Sequence, residues 1–297
     1  MRQYSHASGA RARAPRRATM SDGFDAEFSK LYAYIVEGDL PVHKKLTDAV
    51  GALTLGVGSV VLSVGDGTGE PGVRIAKAQP DVQVFSTDAS EQMTSMAKEY
   101  GSDVGNLVVV TVSGDDDDLP SKCGLVAGSV DVVVLSFSLM FVLDKEKCMA
   151  AISSLLKPGG KVLIAVLSKF GLMSCIGTAL RSLLGELPPP PPTNALSLAV
   201  PADLDALVAG AGLTIVSDEN EAYPFPLGPS EEISRKLCVM LVKEALDELV
   251  AGGQTDAVDR YIEAFLEAAA SNGWAKDGQL VIPPSDNVAR LIVAMKP

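Results

Sequence analysis

Hydrophobic and polar positions change period several times along this chain. Residues 60–64 are a nearly unbroken apolar run that leads into three glycines at alternate positions, Gly65, Gly67 and Gly69. A helix-compatible run over 73–78 follows. A buried strand, a tight turn and a helix start account for that order. Residues 82–87 alternate as a second strand and end in Asp88. Residues 107–112 predict a third strand. Residues 129–138 predict a fourth, apolar enough to be buried on both faces as a central parallel strand is. A helix begins near Glu91, and Asp144 starts another that runs to Leu156. The Lys157-Pro158-Gly159-Gly160 turn then leads into a fifth strand over 161–167. Strands alternating with helices predict an α/β sheet with its ligand crevice at the carboxyl ends of the strands.

The flanks are more helical. Residues 24–36 carry apolar side chains at helical spacing, with Leu40-Pro41 as a stop, and a second helix spans 43–52. His43 reads as a surface or helix-start residue. Beyond the fifth strand, a helix over 170–187 precedes a stiff five-proline linker, 188–192. A helix over 201–211 ends at Gly212, and 213–217 is a strand. Two long helical stretches, 230–250 and 255–270, come next. Residues 279–282 and 288–295 read as closing antiparallel strands. Residues 1–20 stand apart, with five arginines (Arg2, Arg11, Arg13, Arg16, Arg17) and no acid. That composition suits an organelle transit peptide, an in-frame extension with Met20 as the start, or a disordered tail. The expected organisation is this tail and a single domain, 21–297, with a core over 50–168. Segments 24–49, 169–200 and 224–274 are its variable substrate and lid pieces.

Composition narrows the function. With 47% hydrophobic residues in 297, there is material for one large domain, and 21% charged residues is too few for a disordered chain. A formal net charge of -12 argues against a nucleic-acid partner, whose binding rests on Lys and Arg. Four dispersed cysteines with no C-x-x-C, and only two histidines, point to neither a disulfide framework nor a metal site. They fit a reducing compartment. No apolar run reaches the ~20 residues a membrane span needs.

The chemistry concentrates at the predicted strand ends. Glycine serves where φ is positive or where a ligand approaches too closely for a Cβ. A dinucleotide fingerprint, G-x-G-x-x-G, needs its third glycine where Glu70 stands. Asp88, 23 residues beyond Gly65, can accept both hydroxyls of a ribose or cap the following helix. Ser136 and Phe137 fall at the end of the fourth strand, beside the crevice.

The pattern Gly65-x-Gly67-x-Gly69 after a strand resembles motif I of the class I S-adenosylmethionine (SAM) dependent methyltransferases. Asp88, the loop Gly114-Asp115-Asp116-Asp117-Asp118-Leu119-Pro120 and the Leu156-Lys157-Pro158-Gly159-Gly160 turn follow in that family's order. The likeness is to the branch with the ubiquinone/menaquinone C-methyltransferases and many small-molecule methyltransferases. It implies a Rossmann-like, seven-stranded, mostly parallel sheet with helices on both faces and a helical lid from the N- and C-terminal segments. It implies SAM as cofactor, held by Val64, Gly65, Asp66, Gly67, Thr68, Gly69, Asp88, Ala89, Met93, Asp115, Asp116 and Ser136. Asp115 would accept from the adenine amino group and the Asp116 N–H would meet a ring nitrogen. Met93 would lie on the adenine face or in the core. Tyr32, with Tyr34 as the other candidate, would join Ser136 and Phe137 in positioning the substrate. No metal is implied.

Motif I departs from the family's usual L-D-V-G-C-G-T-G. Ser63 stands at the usual acid, and Asp66 at the usual cysteine. Asp66 is therefore expected to take over the acid's work of holding the cofactor ammonium. With His43 placed before the core, no base is evident, which favours a sulfur, nitrogen or already acidic carbon nucleophile on a small molecule. Two other readings are a catalytically weak SAM-binding scaffold and a nicotinamide-dependent oxidoreductase. Glu70 and the Asp115 loop count against the second. The expected location is cytoplasmic, or organellar if the tail is a transit peptide. The acceptor, the methylated atom and the oligomeric state are not legible.

Overall fold

The computed structural model describes residues 26–187 and 189–297; the tail 1–20, Phe24 and Pro188 lie outside that range. Ten strands occur among the described residues: β1 (Val60–Val64), β2 (Gln83–Asp88), β3 (Leu107–Thr111), β4 (Val130–Ser136), β5 (Leu156–Phe170), β6 (Thr214–Ala222), β7 (Phe225–Pro229), β8 (Ala275–Lys276), β9 (Gln279–Ile282) and β10 (Asn287–Met295). Seven of them form one sheet in the order β3-β2-β1-β4-β5-β10-β6. β1 to β5 run parallel, while β10 is antiparallel to both neighbours, β5 and β6. The order reverses between β1 and β4, so a crevice opens above their carboxyl ends. Val61, Leu62, Val133, Val134 and Leu135 are wholly buried, as strands covered by helices on both faces require.

The helices are α1 (Ala26–Gly51), α2 (Gly72–Ala78), α3 (Glu91–Tyr100), α4 (Leu119–Cys123), α5 (Lys145–Leu155), α6 (Gly171–Leu184), α7 (Pro201–Gly210), the short α8 (Ser230–Glu232), α9 (Lys243–Ala251) and α10 (Ala257–Ser271). Side-chain caps set the starts of two helices beside the crevice. Ser90 accepts the Met93 N–H at the head of α3, and Asp144 accepts the Lys147 N–H at the head of α5.

Four expectations are corrected. The two N-terminal helices are one, α1, with Pro41 inside it. Pro41 is exposed, so its missing N–H leaves the solvent side unpaired, while Val42, Leu46 and Val50 bury the opposite face. The turn at 157–160 belongs to the paired length of β5 as an irregularity: Val130 pairs with Leu156, but Val132 already pairs with Lys161. Residues 279–282 do not close the main sheet. They form β9, the middle strand of a separate sheet, β7-β9-β8. Their burial alternates, so only one face needs covering, whereas β10 is buried along most of its length. The stretch 230–250 is not one helix, because α8 passes into a π-helical turn over Ile233–Cys238 before α9.

α1 packs on α2, on β4 and on β7. It therefore lies across the strand ends, and its inward residues matter to the site.

Candidate functional site

The glycine loop is shaped by two close approaches. Gly65, at φ +70°, has no room for a side chain: a Cβ there would collide with the Cβ of Ser138, whose hydroxyl donates to the Val64 carbonyl at 2.6 Å. Gly67, at φ +56°, donates its N–H to Asp88 Oδ2 at 2.9 Å. The other oxygen of Asp88 accepts from the Ser90 N–H at 2.8 Å. Asp88 thus ties the loop to the head of α3, and Ser90, not Asp88, is the helix cap. Each carboxylate oxygen keeps a lone pair, so acceptor capacity for hydroxyl groups remains. Burial raises the Asp88 pKa, opposed by the two N–H groups.

Asp66 turns inward. Its Oδ1 accepts from the Ser63 hydroxyl in a very short bond, and its Oδ2 accepts from the Gly72 N–H at 3.1 Å at the head of α2. The side chain is 5% exposed, and burial lifts its pKa to about 6 against these bonds. Each oxygen of the carboxylate expected to hold a cofactor ammonium thus takes one donor from inside the protein. The Ser63/Asp66 exchange keeps a carboxylate beside position 63 while moving its backbone three residues along the loop.

Glu70 is equally structural. Arg74 forks onto it at 2.9 and 2.7 Å, and the Tyr100 hydroxyl donates to it at 2.9 Å. A surface cavity of about 410 Å3 lies beyond it, lined by Val36, Thr68, Glu70, Met96, Glu99 and Tyr100, and touches neither Asp88 nor Ser136.

Of the residues expected at the adenine, Asp115 is partly occupied. It accepts from Ser113 Oγ and, through Oδ2, from the Asp144 N–H at 3.0 Å, which fixes the head of α5. The Asp116 N–H, expected to meet a ring nitrogen, closes a turn on the Ser113 carbonyl at 3.2 Å. Asp117 and Asp118 are exposed. Met93 is 2% exposed and part of the core, while Ala89 is on the surface and Thr68 is half-buried.

The largest departure from the sequence reading is on α1. His43 is 5% exposed and not a surface residue. Its Nδ1 lies 2.9 Å from Ser136 Oγ at the end of β4, and its ring meets Phe137 edge-on at 6.0 Å. Phe137 has φ +54°, an uncommon conformation for a bulky residue and one that collects at functional sites. One turn before His43, the buried Asp39 accepts from the Tyr223 hydroxyl at 2.7 Å. Burial lifts Asp39 to about 7 and lowers His43 to about 3. Tyr32 lies over Gly67, where a Cβ would sit 3.2 Å from its ring. Burial, and then the carboxylates of Asp39, Asp88 and Asp66 in that order, push its hydroxyl well above the ordinary value. Tyr34 instead packs on Gly228 and bonds Glu232 at 3.1 Å, away from the crevice. Asp39, His43, Ser138 and Tyr223 were missed from sequence. The readable signal was an acid and a histidine one turn apart within the apolar stripe Val42, Leu46, Val50.

A crevice rich in carboxylates, with a glycine loop under Tyr32 and an acceptor-rich acid at the tip of β2, suits a sulfonium cofactor bearing a ribose. Among the described residues, no cluster of His, Cys, Asp and Glu could hold a metal ion, and no helix is long and apolar enough to cross a membrane.

Comparison with known proteins agrees with this geometry. Residues 62–164 match the family described as "Methyltransferase domain". The ubiquinone/menaquinone biosynthesis C-methyltransferase UbiE of Bordetella parapertussis is 31% identical over 121 residues, 40% of this chain and 45% of that protein. Its counterpart in Ralstonia pickettii is 30% identical over 129 residues, 43% of this chain and 50% of that protein. The chain thus spans about half the length of the curated relatives it matches. Among solved structures, the [4+2]-cyclase SpnF superposes with TM-score 0.52 at 19% identity, covering 85% of this chain and 80% of that one. Phosphoethanolamine N-methyltransferase 2 of Haemonchus contortus, in complex with phosphomonomethylethanolamine and S-adenosylhomocysteine, does so with TM-score 0.51 at 16% identity, covering 96% of this chain and 61% of that one. The chain has the Rossmann-like fold of the class I methyltransferases, and residues 62–164 match the methyltransferase-domain family.

Proposed function

We propose that this protein moves a methyl group from SAM to a small-molecule nucleophile by in-line displacement. The observation that carries this is the hydrogen bond from the Gly67 N–H to Asp88, which locks a glycine loop in contact with the strand-tip acid. The match of residues 62–164 to methyltransferase domains supports it. Gly65, Gly67, Thr68 and Gly69 would give the cofactor backbone to lie on, Asp88 would take its ribose hydroxyls, and Asp115 would face the adenine. When bound, the cofactor supplies an activated methyl on sulfur, so alignment and exclusion of water are the protein's share. α1 serves both, since Tyr32 covers the loop and His43 the end of β4. The acceptor is read as a sulfur, nitrogen or carbon nucleophile, and no nucleic-acid partner is proposed for so acidic a chain.

One solved structure of this fold is a [4+2]-cyclase, so fold alone does not establish methyl transfer. Calorimetric titration with SAM, S-adenosylhomocysteine and NADH tests the cofactor. Micromolar binding of the first two, with none of the third, is expected. Transfer of label from methyl-labelled SAM to a small-molecule panel then tests the reaction. Binding of NADH alone would overturn the reading.

A further inference from the structure

We propose that Asp39 and His43 form the acceptor-binding pair of this site, and that Asp39 takes the proton from an acceptor that is an oxygen acid, a phenol or an enol. This rests on the methyl-transfer reading above, and it replaces both the expectation that no base is needed and the sulfur, nitrogen or carbon acceptor with an oxygen one.

Each member of the pair is held by one atom and offers the other. Asp39 is anchored through Oδ1 by the Tyr223 hydroxyl at 2.7 Å, and His43 through Nδ1 by Ser136 Oγ at 2.9 Å. Asp39 Oδ2 and His43 Nε2 have no hydrogen-bond partner among the described residues. Neither is among the unpaired side-chain polar atoms sealed from solvent. Both residues are more than nine-tenths buried, so these two atoms make up part of the little surface they expose. Four residues apart on α1, they lie on one face of the helix, next to each other. The same face carries Tyr32, seven residues before Asp39, over the glycine loop.

No lysine or arginine forms an ion pair with Asp39 among the described residues. A buried carboxylate without a cation is costly, and burial raises its pKa to about 7, where a proton acceptor works at neutral pH. The groups around it are the hydroxyls of Tyr223 and Tyr32, with His43 one turn further along α1 and, around Tyr32, the carboxylates of Asp66 and Asp88. Arg74, which opposes charge on His43, is forked onto Glu70. His43 is therefore neutral, and in the tautomer whose Nδ1 accepts from Ser136 Oγ its Nε2–H is a donor. An acceptor that gives its O–H to Asp39 and takes a hydrogen bond from His43 on a second oxygen fits both.

In the transfer, the acceptor oxygen forms a bond to the methyl carbon as the carbon–sulfur bond breaks. That bond's electron pair stays on sulfur, which becomes a neutral thioether. The acceptor's proton passes to Asp39 Oδ2 and from there to solvent.

The test uses the full chain saturated with S-adenosylhomocysteine and 4-nitrophenol as the probe, whose absorbance separates phenol from phenolate. Wild type is expected to bind the neutral phenol, because a carboxylate accepts its proton and repels the anion. Asp39→Asn, with a donor in its place, is expected to prefer the phenolate, a shift of about tenfold or more in the probe's ionisation. His43→Gln is expected to weaken the probe about tenfold with S-adenosylhomocysteine affinity unchanged, and it decides the matter if Asp39→Asn does not fold. S-adenosylhomocysteine binding with no probe binding, or the same ionisation and affinity in wild type and both variants, would overturn this proposal and leave the cofactor reading intact. Failure to bind S-adenosylhomocysteine would overturn both.

Discussion

Gly65 and Ser138 occupy space that only one of them can fill with a side chain. The Ser138 hydroxyl is fixed on the Val64 carbonyl at 2.6 Å, so the wall cannot retreat, and Gly65 sits at φ +70°. Gly65→Ala meets both a clash and an unfavourable backbone conformation. We expect it to lose on the order of 3 kcal/mol or more of stability, and cofactor binding with it. Urea denaturation with SAM titration checks this, and Ser138→Gly in the same chain should restore part of the loss.

Asp88 holds the loop through Gly67 and the head of α3 through Ser90. Asp88→Ala removes two charge-assisted acceptors and strands two N–H groups. SAM affinity should fall about 100-fold, corresponding to roughly 3 kcal/mol. Calorimetry reads it directly. Asp144→Ala, a cap at the more distant α5, should cost stability of about 1 kcal/mol and little affinity.

Asp66 carries a pH signature. Its folded pKa, about 6, lies above the ordinary carboxylate value. The folded state therefore holds the proton more tightly than the unfolded chain. Its contribution to stability is fully present below about pH 4 and is lost as pH rises through about 6. Asp66→Asn should remove that dependence, so wild type minus variant stability falls by on the order of 1–3 kcal/mol between pH 4 and 7. Denaturant midpoints at several pH values measure it. A flat difference would show that the carboxylate is not buried as described.

His43 has the opposite sign. Its folded pKa, about 3, lies below the ordinary imidazole value, so its contribution is present above about pH 6.5 and is lost as pH falls toward 3. In His43→Gln the loss of stability on acidification should be smaller than in wild type. The same denaturation series reads this second slope.

Phe137 pairs a buried ring with a left-handed backbone, φ +54°. Phe137→Ala loses the ring and keeps the strain, whereas Phe137→Gly loses the ring and releases it. Glycine should therefore be more stable than alanine here by about 1 kcal/mol, the reverse of their usual order in regular structure. Thermal melts of the two variants decide it.

The parallel core was readable because each of its elements is bounded by local chemistry. Three alternate glycines end β1, Asp88 ends β2, and Asp144 caps α5. The breaks were less readable where a local rule met a tertiary demand. Pro41 reads as a helix stop, but it faces solvent while Val42 and Leu46 are buried, and packing carries the helix past it. Gln279–Ile282 has strand periodicity and nothing in it to say which sheet it joins. Along the site, Asp88 could be placed from its interval to the glycines, whereas Asp66 could not, because the direction of its carboxylate depends on Ser63 and the Gly72 N–H.

The sequence by itself determined the order of the five parallel strands along the chain, the positive-φ loop and the acid at the tip of β2. Hydrophobic period and glycine spacing act over a few residues and need no partner. Only the tertiary structure decided what α1 does. Nothing near His43 in the chain says that it will lie 2.9 Å from Ser136, 93 residues away, or that Asp39 will meet Tyr223, 184 residues away. Those pairings arise because burying Val42, Leu46 and Val50 turns one whole face of the helix onto the strand ends, and Asp39 and His43 on that face are carried in with it.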